Sequence, residues 1–154
     1  MVSETATART ESTATVSWQA GIVAGVLAAL VMGAMMLMQM RPVLEVAIPS
    51  MYTLMGGTAG FTIHVAHGAI LGIAFAGLAG VVGFDSLGKS LGSGVVYGVV
   101  LWAVLAVLVM PVWLGAVGSP ANPPLPNVST TSLMGHVVYG AVLGAAFPTV
   151  ERFF

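Results

Sequence analysis

The sequence predicts an all-α membrane protein of four transmembrane helices, built as two same-topology helical hairpins related by a pseudo-two-fold axis along the membrane normal. Three observations predict it. Charged residues are 6% of the chain where an ordinary soluble domain carries about 25%, and the mean hydropathy of +1.03 leaves too little polar surface for water. Four apolar stretches are each long enough to cross a bilayer. The stretch His64-Val-Ala-His67-Gly68-Ala-Ile-Leu-Gly72-Ile-Ala-Phe75 returns seventy-two residues later as His136-Val-Val-Tyr139-Gly140-Ala-Val-Leu-Gly144-Ala-Ala-Phe147, identical at eight of twelve positions. A second echo, Gly21-Ile-Val-Ala-Gly25 against Gly94-Val-Val-Tyr-Gly98, has nearly the same spacing. Internal self-similarity of this kind marks a repeated structural unit.

Residues 1–16, rich in Ser, Thr and Ala, show no apolar period and are expected to form a disordered tail. Residues 17–154 then form a single transmembrane domain, with repeat one over 17–83 and repeat two over 90–150. Trp18 to Met40 carries no charge and, at about 1.5 Å per residue, exceeds the roughly 30 Å hydrocarbon core. A cleaved signal peptide would need only about 7–15 apolar residues. The segment also has a counterpart in the second half, so it is expected to be retained as span one.

Arg41-Pro42 closes this span, and Arg41 and Glu45 are placed to pair at i,i+4 where the chain meets the headgroups. From Ile48-Pro49 to Gly56-Gly57 the chain is apolar but punctuated, which suits a short surface helix. Span two runs from Gly60 to Gly83. A polar turn leads to span three, Leu91 to Leu114, in which Pro111 implies a kink or a stop. Four prolines between Pro120 and Pro126 stiffen the next loop. Ser129 to Ser132 then supply N-cap hydroxyls for span four, Leu133 to Val150, whose end Pro148 should distort.

Lys and Arg set the orientation of such a chain. Arg9, Lys89 and Arg152 fall on one side and Arg41 alone on the other. Both termini are therefore expected in the cytoplasm of a multi-pass cell-membrane protein, with the Pro-rich loop and the Asn127-Val-Ser129 sequon outside.

Each span carries one G-x-x-x-G pair: Gly21/Gly25, Gly68/Gly72, Gly94/Gly98 and Gly140/Gly144. Lipid tails are as apolar as leucine, so helices associate in a bilayer by close backbone approach, which paired small residues permit. At about 100° per residue, His64, His67 and His136 share the glycine face and should look into the bundle. No Asp, Glu, Lys or Arg lies deep in any span. His64, His67, His136 and Tyr139, with Tyr97, are therefore the candidate polar cluster. Histidines on two facing helices can ligate haem b iron or copper, with His64 and His136 the leading metal ligands. The methionines at 32, 35, 36, 38 and 40 add soft sulfur. The competing role is interhelical hydrogen bonding for the histidines and packing for the methionines. Four Lys and Arg in all offer no basic surface for nucleic acid, and the absence of cysteine excludes disulfides and thiolate chemistry.

With the His64-x-x-His67-Gly68 and Gly135-His136-x-x-Tyr139-Gly140 motifs, the chain from Trp18 to Val150 resembles small four-span proteins of halophilic archaea, some labelled histidine kinase automatically. More loosely it is similar to YagU-like inner-membrane proteins. The resemblance implies an archaeal cell membrane. The residues give a kinase no support, because no Gly-rich nucleotide loop is present. Three functional classes follow: an accessory or structural membrane subunit in a homo-oligomer or larger membrane complex, a haem- or metal-binding redox or sensory module, and a small-solute transporter or channel.

Overall fold

A computed structural model describes residues 17–84 and 86–154. The tail expected over residues 1–16 lies outside them. Among the described residues there are helices and no strands, and four helical segments are long and apolar enough to cross a membrane. They are α1 (Trp18–Gln39), α3 (Gly57–Val82), the composite third span Leu87–Ala116, and α6 (Thr130–Glu151). Three of them start on a serine whose hydroxyl accepts an otherwise unpaired N–H. Ser17 takes that of Ala20, Ser86 that of Lys89 and Ser129 that of Ser132, at 3.1, 3.3 and 3.3 Å.

Two segments depart from the sequence expectation. Between α1 and α3 the chain forms a π-helical turn, π1 (Val43–Ala47), and a short α2 (Ile48–Ser50). Leu44, Ala47, Ile48, Pro49 and Ser50 are buried against the end of α3, while residues 52–56 of the segment expected at the surface are exposed. Gly60 makes that possible, because a Cβ there would collide with the Leu44 carbonyl. The exposed pair Arg41 and Glu45 meets at 3.6 Å. In the third span, α4 (Leu87–Leu101) widens into π2 (Trp102–Val109), and α5 (Met110–Ala116) follows. Pro111 therefore neither stops the span nor passes without effect: the helix accommodates it by changing register.

One physical problem recurs at three prolines. A proline within a helix has no N–H for the carbonyl four residues earlier, and an unpaired carbonyl in a bilayer is costly. Here each such carbonyl takes a donor from elsewhere. Pro49 leaves Glu45 O, which accepts the Gly56 N–H at 2.9 Å. Pro111 leaves Val107 O to the Asn127 N–H at 3.0 Å, while Asn127 Nδ2 reaches Ala106 O at 3.4 Å. Pro148 leaves Gly144 O, which accepts the Ser90 hydroxyl at 2.6 Å inside the bundle. Because Ser90 supplies the missing donor, α6 continues past Pro148 to Glu151.

The helices pack as pairs. α1 lies antiparallel to α3, with Gly21 on the Gly72 backbone and Gly25 on that of Gly68. α4 lies antiparallel to α6, with Gly94 on Gly140, Gly98 on the His136 backbone and Gly144 on Ser90. A Cβ at any of these glycines would meet backbone or Cβ atoms of the partner helix, as close packing in lipid requires. α1 and α6 join the two pairs. Phe75 and Phe147 meet edge to face at 5.7 Å in the core, where Leu143 and Tyr139 are also buried. The backbones of α3 and α4 stay apart and meet through Tyr97, which packs on Phe75 at 5.4 Å; beside that contact is a cleft of about 440 Å³ lined by Leu78, Gly92, Ser93, Val96, Tyr97 and Val100.

Candidate functional site

His64 is buried on the face of α3 that carries Gly68 and Gly72, and its Nε2 lies 3.0 Å from Ala29 O in α1. A carbonyl only accepts, so Nε2 carries a proton, and in the neutral ring Nδ1 then keeps its lone pair. His136 turns back along its own helix, where Nδ1 donates to Ser132 O at 2.8 Å, and by the same reasoning its Nε2 lone pair is free. Gly135, the residue before His136, rests on Met32 of α1. Ala29 and Met32 are about 4.5 Å apart along the helix axis. The two imidazoles therefore sit at similar depth.

Tyr139 is buried, and its hydroxyl crosses to α3 to donate to Gly68 O at 2.8 Å. Tyr97 does the same from α4 to Leu71 O at 2.8 Å. His67 leaves this set. Three residues beyond His64, it points some 60° away around α3, and its Nε2 lies 2.6 Å from the Tyr52 hydroxyl. Tyr52 is presented by a turn in which Thr53 has φ 59, and it leans on Trp113, whose indole N–H donates to Met51 O at 3.0 Å. The duplicated sequence motif sets His67 against Tyr139; the structure instead gives each a different partner.

The eight G-x-x-x-G glycines are all in the helix contacts described above, beside these polar groups. The bonds His64 to α1, Tyr97 and Tyr139 to α3, and Ser90 to α6 tie four helix pairs, and α3 takes part in three of them. The bonding roles of Tyr52 and Ser90 escaped the sequence reading, and Asn127 was read only as part of a sequon and not as the donor to Val107 O and Ala106 O. For Ser90 and Asn127 a signal existed in the carbonyl left unpaired four residues before each helical proline. Nothing in the sequence marked Tyr52. Among the described residues, Trp102 Nε1 is the buried side-chain donor that has no acceptor.

The chemistry open to this arrangement is narrow. No three His, Asp or Glu residues gather to hold a metal among the described residues. A porphyrin between His64 and His136 does not fit, because one turn further along α3 the Tyr139 hydroxyl already touches Gly68 O directly. What remains on offer is two neutral imidazoles, each with one unused nitrogen.

Four long apolar helices, with His64, Tyr97 and Tyr139 each bonded to a backbone carbonyl of a neighbouring helix, define a small multi-pass membrane protein. The chain belongs to the family of unknown function DUF6789, whose model matches residues 15–152. No curated protein and no solved structure matches it.

Proposed function

We propose that this chain is an accessory or structural subunit of the cell membrane, with both termini cytoplasmic, working within a homo-oligomer or a larger membrane complex. A single observation carries the reading: the polar side chains of the spans that sequence reasoning marked as candidates are engaged mainly in holding helices together. His64, Tyr97 and Tyr139 each reach a backbone carbonyl of another helix. Intramembrane polar groups committed in this way stiffen a scaffold and leave little freedom for a transport or catalytic cycle. The two glycine-packed hairpins, α1 with α3 and α4 with α6, support descent from one duplicated unit in the same topology.

The test is purification from native membranes in a mild detergent, with mass analysis of the intact particle and of whatever migrates with it. An assembly larger than one chain is expected. A chain that runs as a monomer, and that alone drives solute flux in liposomes, would replace this reading with a transporter.

A further inference from the structure

When the echo of Gly21/Gly25 in Gly94/Gly98 is extended to its neighbours, Ala20 and Ala24 of α1 correspond to Ser93 and Tyr97 of α4. The two alanines are fully buried, and α1 packs directly on α6. At the corresponding contact, α4 with α3, the backbones stay apart, and the two exchanged side chains line the cleft of about 440 Å³. Tyr97 is the wedge. Its ring lies on Phe75 at 5.4 Å and its hydroxyl donates to Leu71 O at 2.8 Å, which holds α4 at a phenol's length from α3. Gly92 belongs to the same wall, and a Cβ there would have nothing within 4 Å. The eight paired glycines are explained by the backbones they touch. Gly92 touches none, although glycine is a poor helix former beside alanine. What it provides is the opening.

We propose that the cleft between α3 and α4 binds one hydrocarbon chain of a membrane lipid, which enters sideways from the bilayer. Leu78, Val96, Val100 and the Tyr97 ring make its wall apolar. A water held there would need roughly two to four polar partners, and the side-chain hydroxyls on the wall are those of Ser93 and Tyr97, the second already spent on Leu71 O. An empty cleft would forfeit the dispersion contacts of every side chain that lines it. Its length selects among apolar occupants. From Gly92 to Val100 the wall covers about 12 Å, in the half of the third span nearest the turn to α3, against a hydrocarbon core of roughly 30 Å. A spanning helix from a second copy crosses the whole core and would call for a groove of that length, whereas a lipid chain stays within one leaflet. This inference goes beyond the scaffold reading and does not depend on it.

The test reconstitutes the full-length chain in phosphatidylcholine vesicles containing a trace of the same lipid with a photoactivatable group midway along one acyl chain. After irradiation, adducts are expected on Ser93, Val96 and Val100 at a higher yield than on Ile70, which is as exposed as Val96 but lies outside the cleft. Gly92→Leu puts a side chain into the opening without a clash, so it should keep the wild-type melting temperature and lose the excess of adducts. Equal yields in the cleft and at Ile70, or an excess that survives Gly92→Leu, would overturn the site. The chain has no cysteine, so Val96→Cys tests the other occupants without background. A disulfide between two chains would make the cleft an interface between copies, and reaction with a water-soluble thiol reagent would make it aqueous; either would overturn the lipid site. The wild-type comparison with Ile70 decides the matter even if Gly92→Leu proves unstable.

Discussion

Replacing Ser90 by Ala removes one oxygen and tests the logic that lets α6 run through Pro148. Ser90 is fully buried and its hydroxyl bonds Gly144 O at 2.6 Å. Leaving a buried acceptor unpaired costs about 1–3 kcal/mol in water-soluble proteins. Side-chain hydrogen bonds between membrane helices average only about 0.6 kcal/mol and reach about 1.7. Gly144 O has no competing donor, because residue 148 is a proline, so the upper part of the membrane range applies. Ser90→Ala should therefore cost about 1–2 kcal/mol.

Cost alone would not separate this account from a generic loss of packing. The separation comes from Pro148→Ala, which restores an N–H to the carbonyl that Ser90 now serves. In that background Ser90→Ala should cost much less, and a double-mutant cycle should show a coupling above about 0.5 kcal/mol. Reversible unfolding of the four proteins in bicelles or mixed micelles supplies the numbers. Additive costs would refute the reasoning, since they would mean that Ser90 does not act through the carbonyl freed by Pro148.

Gly68→Leu and Gly140→Leu should each lower the detergent melting temperature and exceed the roughly 1–3 kcal/mol of ordinary overpacking. Their added carbons would meet Ala29 and the Gly94 backbone, whereas Leu at the exposed Ile73 should be neutral. Tyr139→Phe keeps the ring and loses the tie to Gly68 O, so a stability loss near 0.6 kcal/mol is expected. Tyr52→Phe, at an exposed position where water can replace the hydroxyl, should cost less in the same assay. For orientation, cysteines at Ser12 and Asn122 should differ toward an impermeant thiol reagent, with only the second labelled in intact cells. Labelling of Ser12→Cys alone would reverse the proposed topology.

The spans were legible because their cause is local. Apolar length, the absence of charge and the hydroxyl run from Ser129 to Ser132 are properties of neighbouring residues, and the helices begin within a few positions of where those signals stand. The inward face of His64 was legible for the same reason, through its angular agreement with Gly68 and Gly72. Its partner was not, since the acceptor is a backbone carbonyl of Ala29, and a backbone atom leaves no trace in residue type. Pro111 reads as a kink or a stop when only its missing N–H is considered. The donors that compensate come from Asn127, in a loop that only the antiparallel return of the chain brings alongside. His67 fails as a partner for Tyr139 because a repeat in sequence does not require identical neighbours. The Pro-rich loop at the matching place in the second half, residues 118–129, carries no tyrosine.

A helix tie needs only a donor aimed at a carbonyl, and Tyr97, Tyr139 and Ser90 show that a hydroxyl suffices. A hydroxyl at these positions is spent once it has donated to the carbonyl, apart from weak acceptor capacity. Histidine differs in carrying a second nitrogen that stays basic once the first has donated. His64 and His136 both hold that second nitrogen unused, at similar depth in the bundle. The bonds of these two histidines explain why a donor is present and do not explain why it is an imidazole. That unused basicity is what distinguishes their part of the bundle from the α4 to α6 contact, where Ser90 meets the same structural need with a hydroxyl.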